Sequence, residues 1–260
     1  MTTRNSLDAA HIALACLDLT SLNDRDTEAD IVALCERASS RHGAVAAVCV
    51  WPRFAKLARE SVAAAVKVAA VANFPDGSTD GARTARDVDA IVRAGAHEVD
   101  VVLPYRALLA GGEAACVAVL RAARRACEGL TLKVILETGE LREDAAIERA
   151  ARLALAEGAD FLKTSTGKTA VSATPQAAAV MLRVIAADVA ARTRVGFKAS
   201  GGIRSVADAT LYIDAVAQAL GAAALAPARF RIGASSLLAD IEAKLAGASR
   251  AAAKPSNDSY

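Results

Sequence analysis

TLKVILETGELREDAAIERAARLALAEGADFLKTSTG, residues 131–167, decides the fold. It opens on a β-rich apolar run from Thr131 to Thr138. An alanine-rich helical pattern follows, acidic early and closed by Gly158, and a second β-rich run begins at Asp160. This is one βαβ unit, about 30 residues from strand to strand, and strands joined through a helix pair in parallel. The same rhythm recurs along the chain. LACLDL near Leu14, AAVCVWP near Val48, KVAAVANFP near Val68 and HEVDVVLP near Val101 come before it, and RVGFKASGG near Phe197 and RFRIGASS near Ile232 come after. Helix starts are marked by Thr174-Pro175 and by Ser205 with Asp208 three residues on. Eight such runs predict an α/β fold, a closed (β/α)8 TIM barrel forming a single domain over residues 1–250, with 251–260 as a flexible C-terminal tail. A doubly wound open sheet is the alternative.

Composition narrows the partners. Lys+Arg 31 against Asp+Glu 29 gives a net charge of +2, the charges are interspersed, and aromatics are only 3%, so neither nucleic acid nor an anionic membrane surface is an expected partner. No stretch approaches the roughly 20 apolar residues of a membrane span. The start MTTRNSLDAAHIAL has no sustained apolar core of a leader, and a cytoplasmic setting is expected. Cys16, Cys35, Cys49, Cys116 and Cys127 form no CxxC pair and read as reduced thiols. With His11, His42 and His97 outside any carboxylate-rich motif, no metal site is predicted.

Barrel chemistry sits at the C-terminal ends of strands. Those ends carry Asp18, Asn73, Asp100, Glu137, Lys163 and Lys198, too many inward polar groups for a purely structural core. Lys163 and Lys198 fall on consecutive strands at similar depth. If their ammonium groups lie ~6 Å apart, repulsion at an effective dielectric near 20 is roughly 3 kcal/mol, or about two pKa units. Partial desolvation acts in the same direction, and a neutral lysine amine forms a Schiff base with a carbonyl. Rim lysines reaching solvent are the bland alternative. Asp100, inside the apolar run EVDVVLP, needs a partner, and an inward lysine would supply one and make a proton relay; a buried structural ion pair is the alternative. Gly167-Lys168, Gly201-Gly202 with Arg204, and Ser235-Ser236 follow the last three strands. Their convergence at one corner suits phosphate, since glycines admit backbone N–H groups and a helix start adds a favourable dipole.

EVDVVLPYRAL, LKVILETGEL, FLKTSTGK, GFKASGGIR and RIGASSLL, in that order, closely resemble the 2-deoxyribose-5-phosphate aldolases in their longer bacterial form, from Asp18 to Tyr260. The resemblance implies a class I aldolase that needs no metal or other cofactor. It would reversibly cleave 2-deoxy-D-ribose 5-phosphate to D-glyceraldehyde 3-phosphate and acetaldehyde, so the implied partners are a small sugar phosphate and an aldehyde; a homodimer is a possible assembly. On the matching positions, Lys163 is the Schiff-base lysine, Lys198 the second lysine that lowers its pKa, and Asp100 the proton-relay partner. Gly167, Lys168, Gly201, Gly202, Ser235 and Ser236 fall where the family holds phosphate. Asp18 and Thr20 match positions near the substrate hydroxyls, and Lys133 an interior lysine close to the relay. Cys49 matches a cysteine near the acetaldehyde end, though core packing accounts for it as well. Tyr260 matches a C-terminal tyrosine that enters the site in some members, with a simple tail as the alternative. Ala199-Ser200 stand where some members have a proline after the second lysine, a change compatible with the loop.

Overall fold

The computed structural model describes residues 5–252, with side chains described through residue 247. Eight parallel strands succeed one another around a ring: β1 Leu17–Thr20, β2 Ala47–Val50, β3 Lys67–Ala72, β4 Glu98–Val102, β5 Thr131–Ile135, β6 Phe161–Lys163, β7 Gly196–Ser200 and β8 Phe230–Ala234. β1 pairs with both β2 and β8, so the barrel is closed and the open-sheet alternative falls away. Helices cover the outside and side chains fill the inside. Every strand residue except Thr20, Lys67 and Thr131 is accordingly buried, which is why the strands read as near-continuous apolar runs.

The expected caps are formed. Thr174 accepts from the Ala177 N–H, with Pro175 first in the helix Pro175–Ala187. Ser205 and Asp208 make a reciprocal capping box on Val206–Leu220. Two boundaries differ from the sequence reading. Leu14 belongs to a helix, Ser6–Ala15, that precedes β1 and packs against Val206–Leu220 and Leu237–Ala252, so the first strand begins only at Leu17. The helical pattern after β5 is broken in two, Thr138–Leu141 and Asp144–Ala156, because Arg142 takes a positive φ of 62° between them. The last helix runs to Ala252; the remainder of the expected tail, Tyr260 included, lies outside the described residues.

A single glycine sets the packing between β6 and β7. A Cβ on Gly196 would lie 2.2 Å from the Phe161 ring, so only glycine leaves room for that aromatic beside its register partner. Gly196→Ala is expected to destabilise the fold by about 1–3 kcal/mol through overpacking. A thermal melt checks this, and an unchanged Tm would show that Phe161 repacks without cost.

Candidate active site

Alternation and register bring the charged side chains together. Glu98 and Asp100 are two residues apart on β4 and therefore share its inner face. The register sets Asp100 opposite Lys133, Lys163 opposite Lys198, and Lys198 opposite Arg231. Lys163 Nζ and Lys198 Nζ both donate to the same oxygen, Asp100 Oδ2, each at 2.8 Å. Lys133 Nζ takes the other oxygen, Oδ1, at 2.8 Å and lies 2.5 Å from Glu98 Oε2. Lys198 also donates to Asp18 Oδ2 at 2.5 Å. Arg231 spans Asp18 Oδ1 at 2.7 Å and Glu98 Oε1 at 2.7 Å. All seven groups are buried, and Lys163 is 2% exposed.

Protonation follows from this geometry. Burial is the leading influence on Lys163 and draws its pKa below the usual lysine value. Asp100 pulls it back up, and the charge of Lys198 pushes it down again. The expected depression is therefore present with its causes reordered: desolvation leads, and repulsion from Lys198 contributes after it. For Lys198 burial also opposes the charge, but Asp100 and Asp18 overcome it and hold the ammonium protonated. Burial likewise opposes the charge on Asp100, and Lys133, Lys163 and Lys198 together keep its carboxyl well below the usual range. Two neighbouring lysines thus differ in the direction that a nucleophile and an acid require.

The other expected residues divide. Asp18 does not stand free for a substrate hydroxyl: it is fully buried, with its two oxygens taken by Lys198 and Arg231, because its position on β1 turns it to the axis rather than the mouth. Thr20, two residues on, lines the pocket and donates to the Asp18 carbonyl at 2.8 Å. Lys133, expected near Asp100, donates to its Oδ1. Cys49 Sγ sits 3.9 Å from Asp100 Oδ2, and burial pushes its thiol pKa up. Asn73 and Glu137, both at positive φ, hold loops in place. Asn73 Nδ2 donates to the Ser78 and Val102 carbonyls, while Glu137 accepts from the Thr166 and Thr169 hydroxyls. Glu98 and Arg231 were not singled out from the sequence. For Glu98 the signal was parity: it lies two positions before Asp100, already singled out inside the same strand.

At the C-terminal mouth a cavity of about 310 Å³ is lined by all six residues expected around phosphate, Gly167, Lys168, Gly201, Gly202, Ser235 and Ser236, together with Thr20 and Arg204. Gly201 has φ +85°, and a Cβ there would meet Ser172 at 2.6 Å and the Gly167 Cα at 3.3 Å. The two glycine loops can close on each other only without side chains. The helix that starts at Leu237 begins beside the cavity, directly after the lining residues Ser235 and Ser236, and its dipole favours an anion there. Among the described residues no group of three or more His, Cys, Asp or Glu is arranged to hold a metal, and no helix is long and apolar enough to cross a membrane.

Fold and site define the class: a (β/α)8-barrel enzyme whose polar machinery gathers at the C-terminal mouth of the barrel. A family model described as DeoC/LacD family aldolase matches residues 12–243, and the chain belongs to that family. It is 45% identical over 243 residues to the deoxyribose-phosphate aldolase of Agrobacterium fabrum (strain C58 / ATCC 33970), covering 92% of this chain and 93% of that protein. Among solved structures it is similar to a protein from Toxoplasma gondii ME49 (TM-score 0.83, 25% identity, 93% and 95% of the two chains). It is also similar to the tetrameric deoxyribose phosphate aldolase of Aeropyrum pernix (TM-score 0.71, 26% identity, 94% and 99%). The resemblance read from FLKTSTGK and GFKASGGIR is borne out.

Proposed function

We propose that the chain is a class I aldolase that cleaves 2-deoxy-D-ribose 5-phosphate reversibly to D-glyceraldehyde 3-phosphate and acetaldehyde through a Schiff base on Lys163. The observation that carries this reading is the single Asp100 oxygen shared by two buried lysines whose proton affinities move in opposite directions. The neutral Lys163 amine attacks the C1 aldehyde of the open-chain sugar. The carbinolamine loses water, with Lys198 as the proton donor in reach of the shared carboxylate, and an iminium remains. The Asp100/Lys198 network takes the proton of the C3 hydroxyl, the C2–C3 bond breaks, and its electron pair flows into the iminium to give an enamine. The C3 fragment departs as glyceraldehyde 3-phosphate. Protonation of the enamine at C2 and addition of water then release acetaldehyde and restore the amine. Gly167, Lys168, Gly201, Gly202, Ser235 and Ser236 hold the 5-phosphate in the mouth cavity, so the reacting carbon is fixed by binding energy remote from it.

Incubation with acetaldehyde and borohydride tests the route. The expected result is an irreversible adduct of one ethyl group, mapped by peptide mass spectrometry to Lys163, with turnover of deoxyribose 5-phosphate far exceeding that of ribose 5-phosphate. An enzyme active on deoxyribose 5-phosphate that yields no adduct overturns the Schiff-base route.

A further inference from the structure

Resting on that reading, we propose that Arg231 and Glu98, which do not bond Lys163, are positioning residues of the reaction: they fix the charge balance of the barrel interior so that Lys163 is its one neutral base. The interior array holds three carboxylates, Asp18, Glu98 and Asp100, against four basic groups, Lys133, Lys163, Lys198 and Arg231. With every group ionised it carries one excess positive charge in a water-poor space. Releasing a single proton from one base makes it neutral, and a low-dielectric interior favours that state strongly.

The pairing identifies which base gives way. Arg231 meets two carboxylates, Asp18 and Glu98. Lys198 meets Asp18 and Asp100. Lys133 meets Glu98 and Asp100 closely and Asp18 at 3.8 Å. Lys163 meets Asp100 alone, through an oxygen it shares with Lys198. It is the least compensated base, and the last residue of its strand. The remaining ionisable groups around it leave the count unchanged. Cys49, from β2, stays a thiol because burial raises its pKa. Glu137, two residues beyond β5, is bonded to Thr166 and Thr169 and feels the charge of Lys163, but burial raises its pKa and among the described residues it forms no ion pair with any of the four bases. β3 offers only alanine and valine beyond Lys67, which is exposed.

Arg231 and Glu98 are 5% and 3% exposed and close the array on the side away from the amine. Removing either changes the count without touching a reacting atom. Loss of the Arg231 cation leaves three bases for three carboxylates, so Lys163 holds its proton to higher pH. Loss of the Glu98 anion leaves four bases for two carboxylates, so Lys163 releases its proton more readily. Changing both restores a single excess charge.

The test is the pH dependence of borohydride trapping with acetaldehyde in full-length protein, together with the pH profile of kcat/KM. Arg231→Met is expected to move the acid limb of both upward by roughly one pH unit, and Glu98→Gln to move it downward by a similar amount. The double variant is expected to return the limb to within a few tenths of a unit of the parent position, and Arg231→Lys, which keeps the charge, to leave it in place. A purely structural pair would instead lower activity at every pH without moving the limb, and the double variant would not recover; that result overturns the proposal. If Arg231→Met does not fold, Glu98→Gln against Arg231→Lys decides it, since an unmoved limb in Glu98→Gln is equally fatal. Trapping at Lys163 in the parent protein tests the Schiff-base reading separately, and success there with unmoved limbs rejects only the role given to Arg231 and Glu98.

Discussion

Lys163→Leu is expected to lower kcat by at least about 10⁴-fold, some 5.5 kcal/mol of barrier, while leaving the protein as stable as the parent or more so. The activity loss follows because neither of the other interior lysines is left neutral: Lys198 and Lys133 are each held protonated by two or more carboxylates. The stability expectation follows from the same pairing. Asp100 keeps Lys133 and Lys198 after the substitution, leucine fills much of the volume, and the interior loses its least compensated basic group. Steady-state assay, borohydride trapping and a denaturant melt on one preparation check the three parts. A variant retaining kcat within tenfold would remove Lys163 from the chemistry, and a large loss of stability would show that its ammonium is a structural ion after all.

The strands were legible because burial on both faces leaves so few polar residues in them that each exception stands out. Lys163 in FLK, Lys198 in GFKAS and Asp100 in EVDVV are such exceptions; rim lysines reaching solvent stayed open as the alternative, and the structure buries all three. The cavity proposed to hold phosphate was legible for a different reason: Gly167, Gly201 and Gly202 are needed at positive φ, and this need is written into the residue type. What was not legible depended on distances between strands far apart in the chain. Asp18 looked like a mouth residue until its carboxylate was found between Lys198 and Arg231, contacts 180 and 213 residues away. Glu98 and Arg231 sit in the early halves of their strands, where a charge reads as the exposed edge of an element. Only closure of the ring joins them. The break at Arg142 was hidden because nothing in LREDAA disfavours a continuous helix; the chain turns there through a conformation that its residue type does not advertise.

Asp100→Asn is the substitution expected to cost most in stability, and it costs activity too. The side chain keeps its shape, yet the Lys133 and Lys198 ammonium groups lose an anion they share and Lys163 loses its carboxylate partner, and uncompensated buried charge of this kind costs about 3–5 kcal/mol. The turnover loss is expected at roughly 10²–10⁴-fold, because the carboxylate bonded to both Lys163 and Lys198 is the proton path proposed between them. The pH dependence has a definite sign. Burial opposes ionisation of Asp100, but the three lysines hold its folded pKa well below the unfolded value near ~4. Its contribution is therefore present in full above that unfolded value and is lost as pH falls toward the depressed folded one. The stability gap between parent and variant should be widest near neutrality and narrow below about pH 4. It should narrow on the alkaline side too, as the variant's crowded ammonium groups give up protons. Urea melts across that range check the shape. A gap that is flat with pH would mean that Asp100 is held by packing and not by its charge.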